Sequence, residues 1–406
     1  MLLAAAGASA ILTIGYLIYV GRVLGPTEYA EFSAALSFVY FFAIVFSPLT
    51  PAIARVVARR ATRGDEASVP ALRRGVMRPL TGALAATALV LAWPMVGVSR
   101  FLNFSSSAPV MLAFATALIF TIVSADRGFL QGLFRFGAYN ASLLVESIVR
   151  VVVGLAVLRL VSRSATGALV GFVAAVVIAE AVNAIVLRER RGDLTPGAVD
   201  WPELRRLALP MMMLMIAAAA CQNLDMIAVK RWFSPDFAGQ YGAASALAKM
   251  FGVVFTPLYV LAGPLLTRHH ERGEGIVGPA VGLAGVFAGL SSVGLFLLLY
   301  KGEEIMGLLF GTAYVEAAWL AAHLGAISIL LHVALLLAQV FITYHDFRFL
   351  KLFAAAAIVQ VIGLMAFHST IREVLAALYG AQLILIFPLT WRLMKHARTP
   401  VQNPSI

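Results

Sequence analysis

One pattern occurs twice along this chain. Residues 20–49 hold Val20, Arg22, Pro26, Phe32, Ala34, Ala35 and then Ser47-Pro48-Leu49. Residues 229–258 hold Val229, Arg231, Pro235, Tyr241, Ala243, Ala244 and then Thr256-Pro257-Leu258. Each pair is separated by the same 209 positions (229 − 20) without a gap, about half of the 406 residues. A constant offset of that size means two copies of one structural unit. The fold is therefore expected to divide into two like bodies.

What those bodies are made of follows from hydropathy. Apolar residues make up 61% of the chain, charged residues 13%, and the mean hydropathy is +0.91. A water-soluble domain carries about 25% charged residues. Apolar runs of bilayer-crossing length recur from end to end. The sequence predicts twelve helices, over 2–20, 29–57, 77–97, 108–126, 140–160, 166–187, 207–229, 237–264, 277–300, 314–343, 350–367 and 373–393. The largest connections, 58–76 and 188–206, leave no room for a separate soluble domain. The single cysteine, Cys221, excludes an internal disulfide.

The basic residues set the expected orientation. Of the 31 Lys and Arg residues, Arg150 and Lys249 lie deep in spans; 21 of the other 29 cluster at the ends shared with the termini and 8 at the opposite ends. The positive-inside rule then puts both termini in the cytoplasm. The net charge of +11 reads as an orientation signal and a partner for anionic membrane lipids, not for nucleic acid. The first apolar run lacks a basic leader and has a repeat partner at 211–229, so it reads as a spanning helix and not as a signal peptide.

Six helices per copy is an even number, so both copies enter the membrane in the same sense. The expected architecture is an all-α membrane protein of two six-helix lobes, related by a parallel pseudo-two-fold repeat and facing a central cavity. The expected boundaries are 1–190 and 207–396 for the lobes, 191–206 for a polar cytoplasmic linker with Pro196 and Gly197, and 397–406 for a cytoplasmic tail.

Several stretches resemble one family. Gly21-Arg22-Val23-Leu24-Gly25-Pro26-Thr27-Glu28-Tyr29 resembles the signature that closes the first helix of bacterial polysaccharide flippases, the Wzx-type proteins of the MATE-like MOP superfamily. Leu224-Asp225-Met226-Ile227 with Pro235, Gly239, Tyr241 and Ala244 is similar to the same family's seventh and eighth helices. Leu130-Gln131-Gly132-Leu133-Phe134-Arg135-Phe136 resembles its fourth-to-fifth connection, and Leu308-Leu309-Phe310-Gly311 with Tyr314 and Ala317 the start of its tenth helix. The resemblance implies a twelve-helix transporter in a bacterial inner membrane, moving a polyprenyl-pyrophosphate-linked oligosaccharide for surface polysaccharide such as lipopolysaccharide. It implies as partners the polymerase and glycosyltransferases of that pathway. No cofactor is expected.

Ionisable groups inside spans carry the site prediction, because a charge at membrane depth is costly unless it is paired or wet. Lys249 lies about a dozen residues into its helix, too deep to snorkel. It reads either as a cation for phosphate or acidic sugar, or as the partner of a carboxylate such as Asp225. Glu146 and Arg150 are spaced i, i+4 and can pair on one face. Arg150 and the repeat-related Arg22 and Arg231 are further candidates for the substrate cavity. Asp225 and Glu180 read either as carriers of a coupling proton or cation, or as helix-fixing groups. His323 and His332, nine residues apart, point to opposite sides and suggest no metal site.

Prolines supply two further readings. Pro26 and Pro235 suit the first position of a helix, with Glu28 and Asp236 near the positive end of its dipole. Pro48 and Pro257 fall inside spans and read as fixed bends or as hinges. No lysine follows a glycine, so no GxxxxGK[ST] phosphate loop exists. Loops this short argue against an enzyme, and Glu303-Glu304 reads as a solvated turn. A MATE-type exporter of drugs or metabolites is the alternative, and a membrane-embedded glycan enzyme the third.

Overall fold

The computed structural model describes residues 2–188, 200–272 and 274–398. Every regular element among them is helical: α1 (Leu2–Phe46), α2 (Leu49–Thr62), α3 (Val69–Phe101), α4 (Ala108–Gly132), α5 (Phe136–Leu160), α6 (Ala165–Val186), α7 (Trp201–Trp232), α8 (Pro235–Lys249), α9 (Phe251–Glu271), α10 (Val277–Leu309), α11 (Ala318–Thr343), α12 (Leu350–Ala366) and α13 (Ile371–Arg398), with short 3-10 turns before α3, α11 and α12. Eleven helical runs among the described residues are long and apolar enough to cross a membrane. The first, Ala4–Thr62, has 59 residues, about 90 Å of helix against about 30 Å of hydrocarbon. It bends at Gly25 and breaks at Ser47-Pro48, so it supplies two crossings and brings the tally to about twelve.

The helix boundaries differ from expectation at instructive places. The expected gap between 20 and 29 is a bend within α1, where Gly25 takes φ 72°, a left-handed value that costs glycine nothing. The repeat-related Ser234 instead starts α8 as an N-cap, accepting from the Phe237 N–H at 3.4 Å. Pro48 sits at the break between α1 and α2. Pro257 lies within α9, and the break of the expected 237–264 helix comes seven residues earlier, at Met250. α4 runs on past residue 126 to Gly132. Of the segment expected as linker, 191–199 lies outside the described residues, while Trp201–Arg206 is the start of α7. Of the expected tail, 399–406 also lies outside them.

The chain divides into two compact units, Met1–Ala219 and Ala220–Ile406, with the boundary inside α7. In unit 1 the helices approach through small residues. Gly128 and Gly132 on α4 form a GxxxG face against α2. A Cβ on Gly132 would lie 2.5 Å from the Val57 Cβ and 2.7 Å from the Ala54 carbonyl oxygen. Such contact lets backbones approach closely where the solvent is lipid and burial against lipid gains little. Gly132→Ala is expected to cost about 1–3 kcal/mol by overpacking, read as a lower thermal midpoint in detergent; an unchanged midpoint would show that α2 yields freely.

Acidic side chains tie the loops down. Glu28 Oε2 accepts from the Ala165 N–H at 2.8 Å, capping α6 and not its own helix. Glu31 accepts from the Ser105 N–H at 2.6 Å and from its hydroxyl at 3.0 Å. In unit 2, His332 is buried against Phe255 and Phe287 and bonds the Ser328 carbonyl at 2.7 Å, whereas His323 is exposed. The two histidines do face opposite sides of α11.

Candidate functional site: a buried polar centre in each unit

The buried face of α5 is polar, the reverse of a soluble helix. Ser142, Glu146, Arg150 and Gly154 recur every fourth residue and all are buried. Glu146 Oε1 takes Arg150 Nη2, as its spacing predicted, and Glu146 Oε2 takes Arg127 Nη2 of α4 at 2.8 Å. Arg127 also donates to the Ser142 hydroxyl and carbonyl, each at 3.1 Å. Arg150 Nη1 donates to the Thr13 hydroxyl of α1 at 2.8 Å, and its guanidinium lies 4.6 Å from the centre of the Phe172 ring on α6. Arg150 Nε is buried without a hydrogen-bond partner. Tyr16 donates to the Ala168 carbonyl at 2.7 Å beside this cluster, and Tyr40 lies within electrostatic reach of Arg150 and Glu146.

Two arginines and one carboxylate leave a formal charge of +1 (2 − 1) inside spanning helices. Charge interactions strengthen where the dielectric is low, so the single carboxylate is held firmly between its two guanidinium groups. Close by, the fork of Arg73 grips Asp126 at 2.8 and 2.5 Å, with Asp126 fully buried. Glu180 is half-buried beside that pair, one turn from the buried Asn183.

Unit 2 builds its centre elsewhere in the repeat, on α7 and α8, whereas Arg127, Glu146 and Arg150 correspond to Leu336, Ala355 and Val359. The offset of 209 maps Tyr16 onto Asp225 and Tyr40 onto Lys249. Tyr241 donates to Asp225 Oδ2 at 2.6 Å, and Asp225 Oδ1 is buried without a hydrogen-bond partner. Lys249 Nζ donates to Asn223 Oδ1 at 3.1 Å and interacts electrostatically with Asp225. Both line a cavity of about 40 Å³ with Gln222, Cys221 and Ser245, room for at least one water. Lys249 and Asp225 balance formally to zero.

The sequence-derived candidates thus separate. Glu146 and Arg150 share the centre of unit 1, and Asp225 and Lys249 that of unit 2. Arg22 is exposed on α1 and Arg231 half-buried near the end of α7, neither among the residues of these centres. Glu303 and Glu304 are exposed, with Glu304 paired to Lys301. Sequence reasoning missed Arg127, Asp126 and Arg73. It placed Arg73 in the 58–76 connection and Arg127 just past the expected end of the 108–126 helix. The missed signal was Gly128 and Gly132, whose spacing continues a helix past the charges. It also missed Tyr16, Tyr40 and Tyr241, whose hydroxyls look like ordinary aromatic content.

Residues 1–270 match the family model described as polysaccharide biosynthesis protein. No curated protein matches the chain. Among solved structures it is similar to an inward-facing multidrug resistance MATE family transporter of the MOP superfamily, with 12% identity, 96% of each chain covered and a TM-score of 0.79. It is similar to the lipid II flippase MurJ in an inward closed conformation, with 11% identity, 97% of this chain and 87% of that one covered, and a TM-score of 0.72. An outward-facing MATE family transporter matches with 12% identity, coverage of 98% and 94%, and a TM-score of 0.64. At these identities the shared property is the fold.

Proposed function

The chain belongs to the polysaccharide biosynthesis protein family, and from that premise we propose that it is a flippase for a lipid-linked, polyprenyl-pyrophosphate oligosaccharide in a bacterial inner membrane. The observation that carries this reading is the net-cationic centre of Arg127, Glu146 and Arg150, held inside spanning helices of unit 1. A pyrophosphate needs cations in a place that tails and water do not fill, and buried arginines are costly to keep for any lesser purpose. Lys249 supplies a second cation, with Arg22 and Arg231 as peripheral contacts. Asp225 and Glu180 are the candidates for a coupling proton or cation, because Asp225 keeps one carboxylate oxygen unbonded. Transport proceeds by alternating access, with one unit moving against the other, and with the break at Pro48 and the turn at Met250, seven residues before Pro257, contributing to the hinge. Both termini face the cytoplasm, as the arginine distribution favours. The polymerase and glycosyltransferases of the pathway are the natural partners.

The test is deletion and complementation. Loss of the gene should stop surface polysaccharide while lipid-linked repeat units accumulate on the cytoplasmic leaflet, and the gene in trans should reverse both. Normal surface polysaccharide in the deletion strain would reject the reading. A MATE-type exporter is the second reading, favoured by the TM-score of 0.79 to such a transporter. It predicts raised sensitivity to cationic drugs in the same strain, with no change in lipid-linked glycan.

A further inference from the structure

Unit 2 holds a larger cavity that shares no lining residue with the Asp225 centre. It measures about 500 Å³, within the range of small-molecule sites. α10, α11 and α13 form it. Its inner end is apolar, with Leu295, Leu298 and Leu299; its outer end carries Lys301, Glu303 and Glu304. The change from leucines to charges falls where α10 leaves helical geometry, at Lys301 (φ −130°, ψ 18°).

One wall is fixed and the rim is not. His323 Nδ1 and the Tyr379 hydroxyl are 3.1 Å apart, that hydroxyl also lies 3.3 Å from the His323 carbonyl, and Trp319 meets His323 edge-on at 5.8 Å. On the rim, Lys301 and Glu304 pair at 2.5 Å, yet their side chains are 58% and 69% exposed. An exposed pair of this kind holds weakly and opens readily to a ligand. Glu303 is exposed beside it. The rim therefore offers both signs of charge within one turn, with a sum of −1 (1 − 2).

The cavity opens toward lipid. Leu299 and Tyr300 line it and are 65% and 71% exposed, continuing a row of uncovered apolar residues on α10 that includes Leu290, Val293 and Phe296. An uncovered apolar row on a spanning helix meets acyl chains. Tyr300 and Trp319 at its end are the residue types that settle at headgroup level.

We propose that this cavity binds a phospholipid whose headgroup carries both charges, a phosphoethanolamine. The phosphate takes Lys301, the ammonium takes Glu303 and Glu304, and one acyl chain lies along Leu295, Leu298 and Leu299, against the wall that the Tyr379–His323 pair holds in place. An anionic headgroup meets two carboxylates for one lysine. A choline headgroup has no N–H to donate to either carboxylate. A soluble anion gains nothing from the apolar inner end.

Native mass spectrometry of the full-length protein tests this, with phosphatidylethanolamine, phosphatidylcholine and phosphatidylglycerol of matched chains added in turn. One ethanolamine lipid is expected to bind about fivefold or more tightly than either other lipid. Lys301→Gln and Glu304→Gln are each expected to erase that preference. Both side chains are exposed, so the variants keep the parent's fold, checked by thermal midpoint. Equal or reversed affinities across the three headgroups overturn the proposal, as does a preference that survives both substitutions. Lipid binding is read without transport, so the result stands apart from the flippase reading.

Discussion

A Glu146→Ala protein is expected to lose about 3–5 kcal/mol of stability, the cost of breaking a buried ion pair from one side. Glu146 serves two arginines at once, Arg127 through Oε2 and Arg150 through Oε1, and none of the three side chains is more than 9% exposed. Its removal leaves two guanidinium groups in a low-dielectric interior, where Ser142 still accepts from Arg127 and Thr13 from Arg150. Neither arginine can shed its charge, because guanidinium stays protonated. The expected readout is a lower thermal midpoint in detergent and poor accumulation in the membrane. The triple variant Glu146→Leu, Arg127→Met, Arg150→Met removes every charge while keeping volume. It is expected to recover most of the lost stability and to remain inactive in transport. A triple variant as unstable as Glu146→Ala would sink the electrostatic account and assign the loss to packing.

Lys249→Ala is expected to lower glycolipid flipping at least tenfold, a barrier change of about 1.4 kcal/mol or more, with little change in thermal midpoint. The contrast with Glu146 comes from the surroundings. Lys249 is half-buried on a cavity wall, and Asp225 keeps the Tyr241 hydroxyl when the lysine is gone. Lys249→Arg should retain much of the flipping, since it retains the charge. The double variant Lys249→Ala, Asp225→Asn separates two roles. Asp225→Asn alone reports any coupling role of the carboxylate. If the lysine only neutralises Asp225, the double variant matches Asp225→Asn; if the lysine serves an anionic cargo, the double variant is impaired at least tenfold below it. Flipping in reconstituted vesicles at the parent rate by Lys249→Ala would remove the central cation from the mechanism.

The legible parts of the site and the illegible ones differ in kind. Glu146 with Arg150 was readable because both partners lie on one helix, four residues apart, where spacing fixes distance. Arg127 belongs to the same cluster but comes from α4, and no local spacing connects it to α5. Asp126 with Arg73 spans 53 residues of sequence, so nothing short of the packed structure pairs them. The Glu28 cap is a similar case. Its position after Pro26 suggested service to its own helix, and the fold gives it to the N-terminus of α6 instead. The prolines divide the same way: Pro48 marks a real break, while Pro257 sits in continuous helix and Met250 takes the turn.

The sequence by itself determined the duplication, the membrane solvent and the approximate span of each crossing helix. Those follow from periodicity and hydropathy, which are sums over neighbours and need no knowledge of the fold. The tertiary structure decided which buried charges neutralise one another, where each long helix bends and which residues line each cavity. Those depend on contacts between helices distant in sequence. At membrane depth such contacts are compulsory, because an unpaired charge there has no water to turn to.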